Sequence, residues 1–340
     1  MTDTPLVSVL MPVYNSEQFL PPALDCVLAQ TFVDYELVAV DDGSTDGSVA
    51  ILERYAAADP RIRIHRRQTN GGIVAALTDG FRLVRGDVVS RLDADDLYDP
   101  TLIDKEFAFL RSHPSHVAVG VQAVLVDGDG RELSRPTIPT SHDALDAWHM
   151  SGRGNLLYHS SIMFRRSAFE RVGGYRSGYE LAEDFDLWLR MAEAGRLTVL
   201  TDRLFTYRIH TQSLSRQRAR AQDRAIWRAL RDAVRRRGYP LAQVPFDDLG
   251  TDEQVNWIEL ALAVGNVRQA RRWAWRRVRR TRNRAAVKQW GKTVLGGAGW
   301  AVRLYDRLRG RPPRQPAFDA SGGAPGASPR PAARHSGGAE

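Results

Sequence analysis

The sequence predicts an α/β protein with a mainly parallel sheet, helices on both faces of that sheet, and a helical extension after it. Two observations predict this fold. Short apolar runs alternate with stretches of helical spacing through the first hundred residues, a pattern typical of βαβ units. Polar clusters also follow the predicted strands directly, as expected where a parallel sheet binds its ligand beyond the carboxyl ends of its strands.

The sequence pattern of the N-terminal part predicts four strands that alternate with three helices. The strands are the short apolar runs at 6–11, 35–40, 62–65 and 87–92. Helices are predicted at 18–29, 48–58 and 73–84, where apolar residues recur with helical spacing. Because successive strands are separated by helices, we expect parallel pairing through crossover connections.

The pattern changes after residue 115. Residues 117–126 alternate toward Asp-Gly-Asp-Gly at 127–130, which predicts a hairpin turn. A helix is predicted at 183–194, followed by two closing strands at 197–200 and 204–209.

The charge is distributed unevenly and divides the chain into three parts. The formal net charge is +8, from 48 basic and 40 acidic residues. Residues 1–215 carry a net charge of −9, residues 216–315 carry +17, and residues 316–340 are neutral. The last part is rich in Gly, Ala, Pro and Ser, so it cannot bury enough apolar surface to fold. We expect a folded body at 1–215, a basic helical extension at 216–315 and a disordered tail at 316–340.

The composition excludes several classes of protein. Hydrophobic residues make up 43% of the chain, so most of it can bury a core and is neither disordered nor fibrous. A single cysteine, Cys26, excludes an intramolecular disulfide framework and a cysteine-based zinc site. No apolar run approaches the ~18 residues of a membrane-spanning helix, and the N-terminus lacks the pattern of a secretory leader. These features predict a cytoplasmic protein.

The sharpest chemical feature is the acidic loop Asp93-Ala94-Asp95-Asp96 after the fourth strand. Neighbouring carboxylates repel one another unless a cation or a proton relieves them, and oxygen ligands in a loop suit Mg²⁺ or Mn²⁺. A solvated turn that caps the next helix is the alternative, and it is the commoner one for so short a motif. The position after the fourth strand, where a nucleotide diphosphate would lie, favours a metal site.

Three other polar groups have both functional and structural interpretations. Asp41 ends the second strand, where an acidic residue commonly contacts a nucleotide, whereas Asp42 fits a turn equally well. Glu183 and Asp184 begin a helix, where acids stabilise the helix dipole, and either could also act as a general base. His210 follows the last strand, and a lone histidine is more often structural than a ligand.

A series of short sequence motifs, taken in the order in which they occur along the chain, resembles the motifs of glycosyltransferase family 2. The motifs span residues 7–215 and read VSVLMPVYN, QTFVDYELVAVDDGSTDGS, NGGIVAALTDGF, GDVVSRLDADD, HSSIMFRR, GGYR, AEDFDLWLR and YRIHTQSLS. The resemblance implies the GT-A fold, which has a Rossmann-like nucleotide-binding half. It also implies inverting transfer of a sugar from a nucleotide-diphosphate donor, such as a UDP-, GDP- or dTDP-sugar, to a hydroxyl acceptor.

The resemblance also assigns roles to individual residues. The implied contacts to the donor nucleotide are Pro12, Tyr14, Glu17, Asp41 and Asp93. The implied ligands of a divalent metal, Mn²⁺ or Mg²⁺, are Asp95, Asp93 and His210. Asp184 matches the catalytic general base, and Glu183 matches the residue that orients the acceptor or the base.

One departure from the family pattern concerns the donor base. Leu77 and Thr78 stand where many relatives carry Arg-Asn, and that arginine often helps to bind the nucleotide. The resemblance therefore carries no nucleotide contact over to Leu77 or Thr78, whereas the acids Asp93, Asp95 and Asp184 are all present. The intact acids favour an active enzyme over the alternative, a non-catalytic protein of the same fold that binds sugar nucleotides or acts as a scaffold at a membrane surface.

The basic extension has three interpretations. Helices are predicted at 217–237 and 252–283, and residues 268–311 mix arginine with tryptophan, which suits an anionic membrane surface. The resemblance supports this interpretation, because many relatives act on glycan or lipid-linked acceptors in cell-surface polysaccharide or glycolipid synthesis. The protein would then be peripheral on the inner face of the plasma membrane. Packing on the acidic body explains the same charge, and nucleic-acid binding is the weakest interpretation because no known module is present.

Overall fold

The computed structural model describes residues 5–150, 155–210, 219–238, 271–272, 274–275 and 279. Its strands are β1 (Val7–Val13), β2 (Tyr35–Asp41), β3 (Ile62–Arg66), β4 (Val88–Arg91), β5 (Leu97–Tyr98), β6 (His116–Asp127), β7 (Glu132–Ser134), β8 (Ile162–Arg165) and β9 (Arg196–Ile209). Its helices are α1 (Leu20–Leu28), α2 (Ser48–Ala58), α3 (Ile73–Phe81), α4 (Leu102–Ser112), α5 (His142–Met150), α6 (Arg166–Arg171), α7 (Glu183–Ala194) and α8 (Ala219–Arg236). A short 3₁₀ turn, His159–Ser161, leads into β8.

The strands form one sheet in the order β3-β2-β1-β4-β8-β6-β9-β5, with β7 attached to β6 as a hairpin. Strands β1 to β4 pair in parallel, β8 is antiparallel to both of its neighbours, and β9 is parallel to β6. The carboxyl ends of β1, β2, β4 and β9 therefore share one edge with the start of β8. The predicted parallel sheet is confirmed, and so is the 127–130 turn, where Gly130 has a φ of +83°.

Two predicted strand boundaries are wrong. The first strand continues through Pro12 to Val13, because β4 pairs with β1 only as far as Leu10 and the missing N–H of Pro12 interrupts no pairing on that side. The two predicted closing strands are one continuous strand, β9. Its polar middle has partners, since Asp202 binds Lys105 and the Arg203 guanidinium donates to the carbonyl of Ala123 at 2.9 Å.

Helices cover both faces of the sheet, as predicted. Helices α1, α2 and α4 bury their apolar residues against one face, and α3, α6 and α7 bury theirs against the other. Leu77, at the position that departs from the family pattern, is fully buried in the second of these cores. Its neighbour Thr78 donates its hydroxyl to the carbonyl of Val74 at 2.7 Å. Both side chains therefore have structural contacts within this layer.

Helix α8, from the basic extension, packs on α7. Trp227 and Leu230 are buried with Phe185 and Leu189 of α7, and Ala274 joins the same cluster. Arg237 adds ion pairs to Glu193 and Asp146. No helix among the described residues is long and apolar enough to cross a bilayer. The division at 215/216, most of the segment 268–311 and the tail at 316–340 lie outside the described residues, so the three-part division stays a prediction.

Candidate active site

The polar groups that follow the strands meet at the shared edge of the sheet. The acidic loop Asp93–Asp96 follows β4, His210 follows β9, and the 3₁₀ turn with Ser160 precedes β8. Helix α7 begins with Glu183 and Asp184. Four chain segments that are distant in sequence thus contribute to one site, because β4, β8 and β9 all present their ends there.

The acidic loop concentrates negative charge. Carboxylate oxygens of Asp93, Asp95 and Asp96 lie within 4.8 Å of one another. Asp96 is 1% exposed, and its Oδ1 accepts the N–H of Arg208 at 2.9 Å. Its Oδ2 is buried without a hydrogen-bond partner in the described part of the chain. Burial, followed by the charges of Asp95 and Asp93, raises the pKa of Asp96. Crowded carboxylates with a buried oxygen left over fit a divalent cation.

His210 lies beside the acidic loop. Its Nε2 is 2.8 Å from the Asp95 carboxylate, and its ring packs 4.7 Å from that of Phe19. Arg208, two residues earlier on β9, donates to the carbonyl of Asp95 at 3.0 Å, and its charge lies over the Phe19 ring. The end of β9 therefore fixes both the backbone and one side chain of the loop.

A buried arginine holds Asp93 in place. Arg91 is 3% exposed and donates to both the Asp93 carboxylate and the hydroxyl oxygen of Ser160. The Ser160 hydroxyl in turn donates to Asp93 at 2.7 Å. Burial alone would lower the pKa of Arg91, but the Asp93 carboxylate outweighs burial and raises that pKa. The guanidinium is therefore a fixed positive charge beneath the site.

The carboxylate pair at the start of α7 is suited to accept a proton. Asp184 is half-buried and accepts the N–H of Phe185 at 2.6 Å and the side-chain amide of Asn155 at 2.7 Å. Burial raises the pKa of Asp184 to about 6. Burial, with the neighbouring charge of Asp184, raises the pKa of Glu183 to about 7. Carboxylates with raised pKa values are stronger bases than ordinary ones, and Asp184, whose pKa is the lower of the two, remains largely ionised at pH 7.

The predicted nucleotide contacts lie at the ends of β1 and β2. Pro12 is buried within β1, Tyr14 is 48% exposed just beyond it, and Asp41 is buried at the end of β2. Glu17 accepts the N–H of Gly47 at 2.7 Å, so its carboxylate lies at the N-terminus of α2. Glu17 thereby joins the loops that follow these two strands.

Asp42 differs from Asp41 in its contacts. Its carboxylate accepts the N–H groups of Gly71 and Gly72 at 3.0 and 2.8 Å, and it pairs with Arg67. Gly72 has a φ of +84°, a left-handed conformation that glycine adopts without strain. These contacts favour the turn interpretation of Asp42, because it holds the loop before α3.

The chain resembles known glycosyltransferases in its sequence. The family model described as "Glycosyl transferase family 2" matches residues 8–173. The protein EpsE of Bacillus subtilis strain 168, which is named as a glycosyltransferase, is 35% identical over 200 residues. That alignment covers 57% of this chain and 69% of EpsE. The chain belongs to glycosyltransferase family 2.

The chain is also similar to a second glycosyltransferase in sequence and to a solved glycosyltransferase structure in fold. The O-antigen biosynthesis glycosyltransferase WbnJ of Escherichia coli is 27% identical over 214 residues, covering 61% of this chain and 81% of WbnJ. The mannosyltransferase PcManGT of Pyrobaculum calidifontis, solved with GDP-mannose and Mn²⁺, superposes with a TM-score of 0.52 over 90% of this chain and 88% of its own. Its identity is 18%, so this likeness shows the GT-A fold alone. The chain is thus a family 2 glycosyltransferase of GT-A fold.

Four residues that contact the acidic loop or Asp184 were not predicted from the sequence: Arg91, Ser160, Asn155 and Arg208. Ser160 lies within the HSSIMFRR motif and Arg91 immediately precedes Leu-Asp-Ala-Asp, so both positions carried a local signal. Asn155 lies outside every motif, whereas Arg208 lies within YRIHTQSLS. Their contacts to Asp184 and to the acidic loop join positions 29 and 113 residues apart.

Proposed function

We propose that this glycosyltransferase moves a sugar, with inversion, from a nucleotide-diphosphate donor to a hydroxyl group of a glycan or lipid-linked acceptor. The observation on which the proposal depends is that one buried arginine interacts with both acidic groups of the site, the acidic loop and the carboxylate pair at the start of α7. Arg91 pairs with Asp93 of the acidic loop, and its charge also lowers the pKa values of Glu183 and Asp184 against the effect of burial. The relationship to an O-antigen enzyme supports a role in the synthesis of a cell-surface polysaccharide or glycolipid.

The acidic loop would hold a divalent metal, Mn²⁺ or Mg²⁺. Asp93 and Asp95 are the ligands that the resemblance implies, His210 lies beside Asp95, and Asp96 adds a third carboxylate within 4.8 Å. When bound, the ion supplies positive charge that stabilises a diphosphate leaving group. The donor nucleotide would lie along the ends of β1 and β2, near Tyr14 and Asp41.

In the proposed mechanism, Asp184 accepts the proton of the acceptor hydroxyl as its oxygen attacks the anomeric carbon. A new carbon–oxygen bond forms on one face while the bond to the diphosphate oxygen breaks on the other, and the diphosphate keeps the electron pair. One displacement of this kind inverts the anomeric centre. Glu183, beside the base, orients the acceptor, and Arg91 stabilises the ionised forms of these acids.

A donor screen tests this function. The purified protein is mixed with a panel of UDP-, GDP- and dTDP-sugars, in Mn²⁺ and in EDTA, and both nucleotide diphosphate release and the thermal unfolding midpoint are measured. We expect one donor to raise the midpoint and to release diphosphate only when metal is present. No response to any donor, with or without metal, would contradict the proposal.

We predict that Asp95→Ala weakens metal binding by at least about tenfold, because it removes one of three adjacent carboxylates and the partner of His210. The measurement is the rise in the thermal unfolding midpoint as Mn²⁺ is titrated into the protein alone. The exposed Asp129 offers a matched control, and Asp129→Ala is expected to keep the response of the parent. A parental Mn²⁺ response in Asp95→Ala would exclude this residue as a ligand.

We further propose that the segment 268–311 binds an anionic membrane surface. Its described positions support this, since Arg271, Arg272, Trp275 and Arg279 are exposed on helical turns while Ala274 is buried against α8. We expect the full chain to sediment with vesicles that contain a quarter phosphatidylserine at low salt, and to be released at high salt. Absence of binding at low salt would refute the membrane role and favour packing on the catalytic body.

A further inference from the structure

Asn155 connects the segment before the 3₁₀ turn to the start of α7. Its side-chain Nδ2 donates to Oδ2 of Asp184 at 2.7 Å, and its Oδ1 accepts the N–H of Leu157 at 3.1 Å. The second bond fixes which end of the amide faces Asp184, because only Oδ1 can accept a backbone N–H. The amide therefore presents a donor to the carboxylate in one defined orientation.

The segment that carries Asn155 is itself anchored. The N–H of Leu156 donates to Nε2 of His149 on α5 at 3.4 Å. His149 is fully buried, and burial lowers its pKa to about 4, so the ring is neutral at physiological pH and can accept this bond. The His149 ring also packs edge-on against Phe185, the residue after Asp184. Helices α5 and α7 thus hold the amide and the carboxylate against each other.

We propose that Asn155 is the positioning residue for Asp184, orienting its carboxylate toward the acceptor hydroxyl. The proposal rests on the proposed function of Asp184 as general base. With Oδ1 bonded to Phe185 and Oδ2 to Asn155, the carboxylate plane is fixed, and each oxygen retains a lone pair for the incoming proton. A base held in this way needs no reorientation when the hydroxyl attacks.

The charges around Asp184 explain why this donor matters. Glu183 on the same helix and the Tyr175 hydroxyl lie close by, and Arg91 approaches from β4. Burial opposes ionisation of Asp184, whereas Arg91 and the amide of Asn155 favour it. Removal of the amide donor therefore leaves Arg91 as the remaining side chain among these that favours the anion.

Two variants separate positioning from mere support of the loop. Asn155→Asp keeps an oxygen that can accept the Leu157 N–H but replaces the donor facing Asp184 with a second carboxylate. Asn155→Ala removes both bonds. The titration of Asp184 is followed without any ligand, by ¹³C NMR of protein labelled at the aspartate carboxyl carbon, with the Asp184 signal assigned by its loss in Asp184→Asn. Transfer from the donor found in the screen is measured alongside.

We expect the Asp184 titration midpoint to rise by about one pH unit in Asn155→Ala, and by more in Asn155→Asp, where two carboxylates share a site. The turnover number at pH 7 should fall about tenfold or more in both variants, with the KM for the donor within about twofold of the parent. If Asn155→Asp keeps the parental titration and turnover, Asn155 only supports the loop and the inference is wrong.

The experiment also distinguishes a failure of the proposed function from a failure of the role proposed for Asn155. If Asp184→Asn itself retains transfer, Asp184 is not the base and both proposals fall. If Asp184→Asn loses transfer while both Asn155 variants keep the parental titration midpoint and rate, only the role of Asn155 is refuted. A matched substitution, Asn70→Ala in the exposed loop before α3, is expected to leave the Asp184 titration unchanged.

Discussion

Replacement of Asp184 by asparagine is expected to lower sugar transfer by about 10²–10⁴-fold, the usual contribution of a general base. Asparagine has nearly the same shape and keeps an oxygen that can accept the Phe185 N–H, but it cannot take a proton. The acidic loop and the ends of β1 and β2 are unchanged by the substitution. Nucleotide affinity, measured by calorimetry with the diphosphate product and Mn²⁺, should therefore stay within about twofold of the parent.

The pH profile of the parent provides an independent check of the same role. Because burial raises the pKa of Asp184 to about 6, transfer should increase as the pH rises through about 6 and Asp184 loses its proton. Asp104→Asn, on the exposed side of α4, should keep both the rate and this profile. If Asp184→Asn retains more than a tenth of the activity, or loses nucleotide binding to the same degree, Asp184 is not acting as the base.

Asp186→Ala is expected to lower the free energy of unfolding by about 3–5 kcal/mol, the usual effect of breaking a buried ion pair. Asp186 is fully buried on α7 and pairs with Arg190 at 2.7 Å and with Arg176. Without Asp186, the guanidinium of Arg190 keeps its bonds to the carbonyls of Val172 and Gly174 but loses its compensating charge. A buried positive charge without a counter-charge is strongly unfavourable.

Urea unfolding of the two proteins measures this effect. The control Asp129→Ala removes an acid whose ion pair with Arg131 is largely exposed, and its unfolding midpoint should match that of the parent. A parental midpoint for Asp186→Ala would show that Arg190 finds another counter-charge. Asp186 and Asp184 both lie in the first turn of α7. The decrease in the free energy of unfolding therefore also reports how much this ion pair stabilises the helix that carries the proposed general base.

The fold was predictable where a pattern repeats locally. Helix α7 begins and ends where the sequence predicts, because its apolar residues keep helical spacing and its first turn is acidic. The continuous β9 was not predictable, since Asp202 and Arg203 interrupt the apolar run. Their partners, Lys105 and the carbonyl of Ala123, lie 97 and 80 residues away in sequence. Only the folded chain shows that polar residues are satisfied within that strand.

The residues of the candidate site were likewise predictable only in part. The acidic residues stand out by type and by position after predicted strands, so they could be singled out from the sequence. The groups that orient them could not, because Ser160 reaches Asp93 across 67 residues and no local pattern encodes that contact. The position of Leu77 is similar. The sequence shows that it departs from the family pattern, but only the structure shows that it is fully buried.

The continuity of α7 and β9 has a consequence for how such enzymes can diversify. Helix α7 starts at the carboxylate pair and runs directly into β9, which ends beside His210 and the acidic loop. A single inserted residue between Phe205 and Ile209, where β9 pairs with β6 without a shift in register, would turn every later side chain to the opposite face of the sheet, carrying His210 away from Asp95. The segment 135–141, by contrast, connects β7 to α5 and contains neither His149 nor Asn155. Changes in length are therefore expected to accumulate between β7 and α5, while the length of 183–210 is held constant.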